Sequence, residues 1–189
     1  MAIINSNESE SRAVLAAATL MAAAARTAPK TRGMDSVKTL IVTGEELETL
    51  AREMEARTDA KAFRIGAFPR DAQNVRRAAA VFLVGVTGEP KNPAAPLSCG
   101  ACGHMSCGEF VAADQREGED FRGPLCMFQS VDLGIALGAA VKVAGDLNID
   151  NRIMYTVGAA ARKLGWPAEC DVVIGVPLSV SGKSPFFDR

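Results

Sequence analysis

Short apolar runs alternate with longer segments of helical periodicity along this chain, and the pattern predicts strands set between helices. Ser11–Arg26 is rich in alanine and other helix formers, and Pro29 ends it. The polar residues before it, Met1–Glu10, predict a frayed end, and Thr27–Gly33 reads as a basic turn. Val37–Val42 (VKTLIV) is β-branched and continuous, the signature of a buried strand. Thr43 and Glu46 have capping-box spacing and open a helix that Glu45–Arg57 continues. Asp71–Ala79 predicts another helix, and Val81–Val86 (VFLVGV) a second buried strand. Thr87–Ser98 holds three prolines and a glycine, so it is a loop.

Downstream, Ser130–Ala144 predicts a helix with small residues at Gly134, Gly138, Ala139 and Ala140. The pair Gly134/Gly138 suits close packing, in the core or against a second chain. Asn151–Leu164 predicts a further helix, stopped by Gly165 and Pro167. Val172–Val176 (VVIGV) is the last strand and Gly182–Arg189 a tail. Three or more buried strands among about six helices imply an α+β (α/β-like) layered domain. No repeat or linker divides residues 1–189.

Composition narrows the function. At 189 residues the chain can bury a substantial core, and 48% hydrophobic residues with a net charge of −1 give no electrostatic case for nucleic acid or an anionic membrane. Aromatics make up only 5%, too few for base-stacking platforms. Arg12 followed by Ala13–Ala25 imitates a signal peptide, but Met1–Ser11 carries Glu8 and Glu10 and no basic residue. No stretch reaches the ~20 apolar residues of a membrane span, since Lys142 interrupts the run that begins at Val131. Five cysteines in an irregular pattern do not suggest a disulfide scaffold, and the expected compartment is the reducing cytoplasm.

The chemistry concentrates in Cys99–Cys126. Cys99, Cys102, Cys107 and Cys126 are spaced C-x2-C-x4-C-x18-C. Four thiolates at short pitch suit a tetrahedral sulfur cage, whose usual occupants are an iron–sulfur cluster or zinc. Two features favour the cluster. Three cysteines share one tight loop, whereas zinc ribbons offer two separated CxxC knuckles. Gly100, Gly103 and Gly108 also let backbone N–H groups turn toward cluster sulfurs. Glu109–Asp114 predicts a short helix with its positive end at the site. Met105, Phe110 and Leu125 are expected to shield it, and the only histidine, His104, to face solvent or bond toward it. The acidic run Glu117, Glu119, Asp120 reads as a solvated edge, and Cys170 as core packing. With His104 in the ligand loop there is no Ser/His/Asp arrangement. There is also no P-loop, and no G-x-G-x-x-G follows a strand.

The CGACGHMSC…C spacing resembles the [4Fe-4S] domain of the Rnf-complex electron-transport subunit and of the corrinoid iron–sulfur protein of the CO dehydrogenase/acetyl-CoA synthase system. That resemblance covers about 28 residues and implies a [4Fe-4S] cluster on the four cysteines. The flanks, AATLMAAAARTAPKTRGMDSVKTLIVTGEELETLAREM, DLGIALGAAVKVAGDLNI and LGWPAECDVVIGVP, resemble the nitroreductase-like fold. Most of the chain is similar to a group of bacterial and archaeal proteins described as containing a ferredoxin domain. The resemblance implies a nitroreductase-like central sheet flanked by helices, with residues 95–130 as an inserted iron–sulfur segment. It implies FMN as a candidate second cofactor, with Arg26, Lys30, Thr31 and Arg32 on its flavin side and Lys183 toward its phosphate. Where that family has Ser, Asn and Gln, this chain has Lys30, Gly33 and Asp35. A homodimer is implied too. The expected activity is single-electron transfer to or from a redox partner protein or small-molecule acceptor. If it is an enzyme, it is a flavin and iron–sulfur oxidoreductase. The rivals are a non-catalytic iron–sulfur carrier or sensor and a zinc-stapled interaction protein.

Overall fold

A central β-strand, Ala80–Val86, is buried at all seven positions and divides the molecule into two apolar layers. The computed structural model describes residues 3–60 and 66–187. In chain order its elements are α1 (Ser6–Thr27), β1 (Lys38–Val42), α2 (Glu46–Ala60), α3 (Ala67–Arg76) and β2 (Ala80–Val86). There follow α4 (Cys107–Ala112), β3 (Arg116–Glu117), β4 (Arg122–Gly123), α5 (Met127–Asp146), β5 (Asp150–Asn151), α6 (Tyr155–Lys163) and β6 (Val172–Ser179). The main sheet runs β1-β2-β6-β5 and every pairing in it is antiparallel, so the fold is α+β rather than α/β.

Period-two alternation in β2 sends Ala80, Phe82, Val84 and Val86 to one face and Val81 and Leu83 to the other. The first face packs against α1 and α5 through Val14, Ala18, Met21, Leu133, Ala136 and Ala140. The second packs against α2, α3 and α6 through Leu50, Met54, Phe68, Val75, Val157 and Ala160. Full burial of Phe82 or Leu83 contributes about 1.5–3 kcal/mol each. On the second face Arg76 of α3 binds Glu48 and Glu55 of α2, and its hydrogen bond, with one from Arg52, draws the exposed Glu48 carboxyl down to about 2.

Several predicted boundaries move. The first helix starts at Ser6, within the stretch expected to fray, because Asn5 caps it by accepting the Glu8 amide at 3.0 Å. A turn through Gly44, at φ 62°, precedes α2, and the Leu47 amide donates to its carbonyl. The long apolar helix α5 begins at Met127 rather than Ser130, capped by Cys126. So extended, Met127–Asp146 is long and apolar enough, by length and composition, to cross a membrane, contrary to the expectation. Its Leu133, Ala136, Leu137, Ala140 and Ala144 lie in the first core. The opposite stripe, Val131, Gly134, Ile135 and Gly138, is exposed, and a Cβ on either glycine would meet nothing within the chain.

Helix α6 approaches β6 closely because Gly158 and Gly175 leave room. A Cβ on Gly158 would lie 1.9 Å from the Val173 carbonyl oxygen, which is backbone and cannot swing away. Gly158→Ala should therefore force helix and sheet apart and cost about 1–3 kcal/mol of overpacking, read as a lower midpoint in urea. An unchanged midpoint would contradict this close approach.

Candidate metal centre

Cys99, Cys102, Cys107 and Cys126 line two adjoining surface hollows that share Pro90, Cys99, Cys107 and Cys126. The chain brings them together by three local devices. The first is the Ser98–Gly103 loop. Ser98, Gly100 and Gly103 adopt positive φ values of 44°, 74° and 87°, and the Gly103 amide closes a turn on the Gly100 carbonyl at 3.0 Å.

The second is the start of α4. Ser106 caps the helix by accepting the Glu109 amide at 3.1 Å, while Glu109 Oε2 accepts the Met105 amide at 2.9 Å. This places the helix at Cys107–Ala112, two residues earlier than predicted, with Cys107 as its first residue. The Cys107 amide also donates to Ser98 Oγ at 3.4 Å.

The third device fixes Cys126. Its amide donates to the Gly88 carbonyl at 2.8 Å, just beyond β2. Gly88 is needed there, since a Cβ would come within 3.0 Å of Leu125 Cδ2 and the Pro124 carbonyl. Asp171 completes the anchor by accepting the Gly88 amide at 2.7 Å, and its own amide donates to the Val86 carbonyl. Cys126 then caps α5, so the positive end of a 20-residue helix lies at the hollow.

Behind Cys126 lies a buried polar network that sequence reasoning missed. Asp132, fully buried, sits 2.5 Å from Lys91 Nζ, whose side chain is 2% exposed. Asp132 also accepts the Thr31 amide at 2.9 Å and the Thr31 hydroxyl at 2.8 Å. Lys91 donates to the Met34 carbonyl and to Ser36 Oγ, and Ser36 donates to Gln129 Oε1 at 2.6 Å. Gln129 in turn donates to the Glu89 carbonyl at 2.9 Å. Two turns of α5, the Thr27–Gly33 loop and the loop after β2 are thus held as one unit.

The expected shielding holds in part. Phe110 is buried at the hollow, and His104 meets its ring edge-on with centroids 5.7 Å apart. Met105 is 83% exposed and Leu125 packs toward Gly88, while Leu97, Met127 and Phe128 line the hollows instead. The acidic run is a solvated edge only in part: Glu117 and Glu119 are exposed, whereas Asp120 is buried. Arg57 binds the Glu119 carbonyl and the buried Asp120 carboxylate, and Arg162 binds Glu117, which clamps the β3–β4 hairpin to α2 and α6.

The five residues of the flavin expectation differ in what they bind. Arg26 pairs with Asp35, and Lys30, nearly buried, donates to the Ala25 and Arg26 carbonyls at the end of α1. Burial would raise the Asp35 carboxyl, but bonds from Arg26 and the Val37 amide, with the charges of Lys30 and Arg26, hold it below its ordinary range. Thr31 is bound to Asp132. Arg32 lines the cysteine hollow, and Lys183 is exposed in the C-terminal tail.

Four thiols are the donor type of an iron–sulfur cluster or of a zinc site. A tetrahedral zinc with Zn–S of ~2.3 Å needs sulfurs about 3.8 Å apart. Among the described residues no group of three or more His, Cys, Asp or Glu side chains is placed to hold one ion.

Cys170 stands apart beside β6 and is buried, as expected. Burial pushes its thiol up from an ordinary value of 9.0 to about 11, and Asp171 and Glu169 add to this against the pull of Lys38. Native protein at pH 8 should alkylate far more slowly at Cys170 than urea-unfolded protein, read by mass spectrometry after iodoacetamide. The un-ionised thiol's contribution to stability is fully present below pH 9 and is lost as pH rises toward 11. Equal labelling of native and unfolded protein would contradict the burial.

Residues 122–189 match the family described as "Uncharacterized protein containing a ferredoxin domain (DUF2148)". A protein of Archaeoglobus fulgidus is 48% identical over 187 residues, covering 99% of this chain and 97% of that one. Among solved structures, a nitroreductase with bound FMN from Desulfitobacterium hafniense DCB-2 superposes with a TM-score of 0.58 at 15% identity, over 89% of this chain and 78% of that one. A nitroreductase family protein from Clostridium novyi NT does so with a TM-score of 0.52 at 16% identity, over 99% and 79%. At such identities the likeness is one of fold, and it matches the architecture expected from the flanking segments.

Proposed function

Because this chain belongs to one family with the Archaeoglobus fulgidus protein and its residues 122–189 match the ferredoxin-domain family model, we propose that it binds a [4Fe-4S] cluster through Cys99, Cys102, Cys107 and Cys126 and acts in one-electron transfer. The observation that carries this reading is the convergence of four cysteines, spread over residues 99–126, on two adjoining hollows. A bound cluster supplies reversible one-electron chemistry. The chain's own groups make that site. The α5 N-terminus offers a positive dipole to the anionic thiolates, Phe110 and Phe128 exclude water on the protein side, and Asp171 and Gly88 fix Cys126.

The electrons would pass to a redox partner protein or a small-molecule acceptor in a reducing cytoplasm. FMN is the second cofactor to be tested, because a solved nitroreductase of the same fold holds it and Arg32 and Lys183 remain facing outward. Anaerobic purification with iron, sulfide, zinc and flavin analysis tests all of these readings. We expect ~4 iron and ~4 sulfide per chain and brown colour bleached by dithionite. Stoichiometric zinc without iron would overturn the reading in favour of a stapled interaction protein. Flavin at ~1 per chain would make it a two-cofactor oxidoreductase.

A second copy of this chain is the partner proposed for the exposed α5 stripe Val131, Gly134, Ile135 and Gly138, whose small residues allow close helix contact. Sedimentation should show a dimer, and Ile135→Lys should shift it to monomer with an unchanged far-UV spectrum. A wild-type monomer at micromolar concentration would sink this part.

A further inference from the structure

Two cations border the cysteine hollow, and their situations differ. Lys91 lies against the Asp132 carboxylate, so its charge is matched inside the protein. Arg32 lines the same hollow with Cys99, Cys107 and Cys126, but its Nη1 is held by the Ala95 carbonyl, which carries no charge to cancel it. The neighbouring Arg26 and Lys30 share a single carboxylate, Asp35. Arg32 is also held at φ 58°, ψ 19°, a left-handed conformation that non-glycine residues seldom adopt. The surrounding contacts enforce it, since Thr31 is pinned to Asp132 and Gly33 follows at φ 68°. Among the described residues no carboxylate is paired with this guanidinium, which is fixed at the mouth of a site lined by cysteines.

We propose that Arg32 is a positioning residue whose positive charge stabilises the reduced centre and raises its reduction potential. This rests on the cluster reading above. Four thiolates outnumber the positive charge of the iron–sulfide core, so the bound centre is an anion, and the one electron it accepts deepens that charge. A fixed cation at its edge favours the reduced state over the oxidised one. The same residue reaches the loop that leads to Cys99 through the Ala95 carbonyl.

The test is a dithionite potentiometric titration of anaerobically reconstituted wild type, Arg32→Gln and Arg32→Lys, followed by EPR and visible absorbance. Arg32→Gln should hold the same iron but fall in potential, by ~59 mV for each tenfold loss in the reduced-to-oxidised ratio at n = 1. Arg32→Lys, which keeps the charge, should stay nearer wild type. Added salt should narrow the gap between wild type and Arg32→Gln, because the side chain is exposed and screened. Iron retained in Arg32→Lys but lost in Arg32→Gln also supports a role for the charge.

Full iron and an unchanged potential in Arg32→Gln would overturn the proposal. So would equal shifts in the two variants, or iron lost from both with an intact circular dichroism spectrum, since each points to shape rather than charge. Failure of the underlying reading looks different: wild type itself would then take up no iron.

Discussion

Replacing any one of Cys99, Cys102, Cys107 or Cys126 with serine is expected to abolish or gut iron binding, leaving well under one cluster per chain after anaerobic reconstitution. Three remaining thiolates leave one iron without its soft ligand, and a serine hydroxyl is far less acidic and harder than a thiol. The four should not be equal in their effect on the apoprotein. Cys126 is tied into the scaffold through its amide to Gly88 and its carbonyl to Gln129 at 3.0 Å, yet serine preserves both bonds. Cys126→Ser should therefore lose iron while keeping its unfolding midpoint. Cys170→Ser is the internal control: it should keep full iron and change stability only locally, because Cys170 belongs to the core beside β6. If all four variants load iron like wild type, the site is not a cluster site.

The parts of this molecule that could be read from sequence are those where one physical rule dominates. β2 and β6 were legible because a strand buried on both faces must be apolar without interruption, and VFLVGV and VVIGV are. The cysteine quartet was legible because nothing but ligation explains that spacing. What escaped was decided by partners distant in sequence. SNESE looked too polar to be ordered, yet Asn5 and the Glu8–Arg12 pair begin a 22-residue helix there. The first turn of α5 was hidden because its cap is Cys126, a residue already assigned to another task. β5 has two residues, too few to show a period, and exists because β6 offers Ser179 and Leu178 as partners. The pairing of Glu117 and of the buried Asp120 escaped because their arginine partners lie 45 and 63 positions away. One signal was available and unused. Asp132 is the only charge between Met127 and Val141, and a carboxylate in so apolar a helix must find a cation or pay heavily in desolvation.

That carboxylate carries the second large effect. Asp132→Ala should destabilise the protein by about 3–5 kcal/mol, since it leaves the Lys91 ammonium buried at 2% exposure without a counter-charge. It also strips the Thr31 amide and hydroxyl of their acceptor. Asp132→Asn should cost less, because an amide oxygen can still accept from Thr31, though it cannot match the ammonium charge. The double variant Asp132→Leu with Lys91→Met removes both charges at once. Buried ion pairs replaced by apolar groups of similar volume are often neutral or more stable, so much of the loss should be recovered in urea unfolding. The two effects separate at the metal site. Asp132 bonds to Thr31 and Lys91, and so holds the Thr27–Gly33 turn against the first turns of α5, next to the Cys126 cap. The double variant should regain stability without that tether, and its iron should then be released faster to a chelator than from wild type. A double variant as unstable as Asp132→Ala would show that the loss comes from the Thr31 bonds and packing rather than from an orphaned charge. One that is restored in stability and holds iron as tightly as wild type would show that the network only fastens the fold.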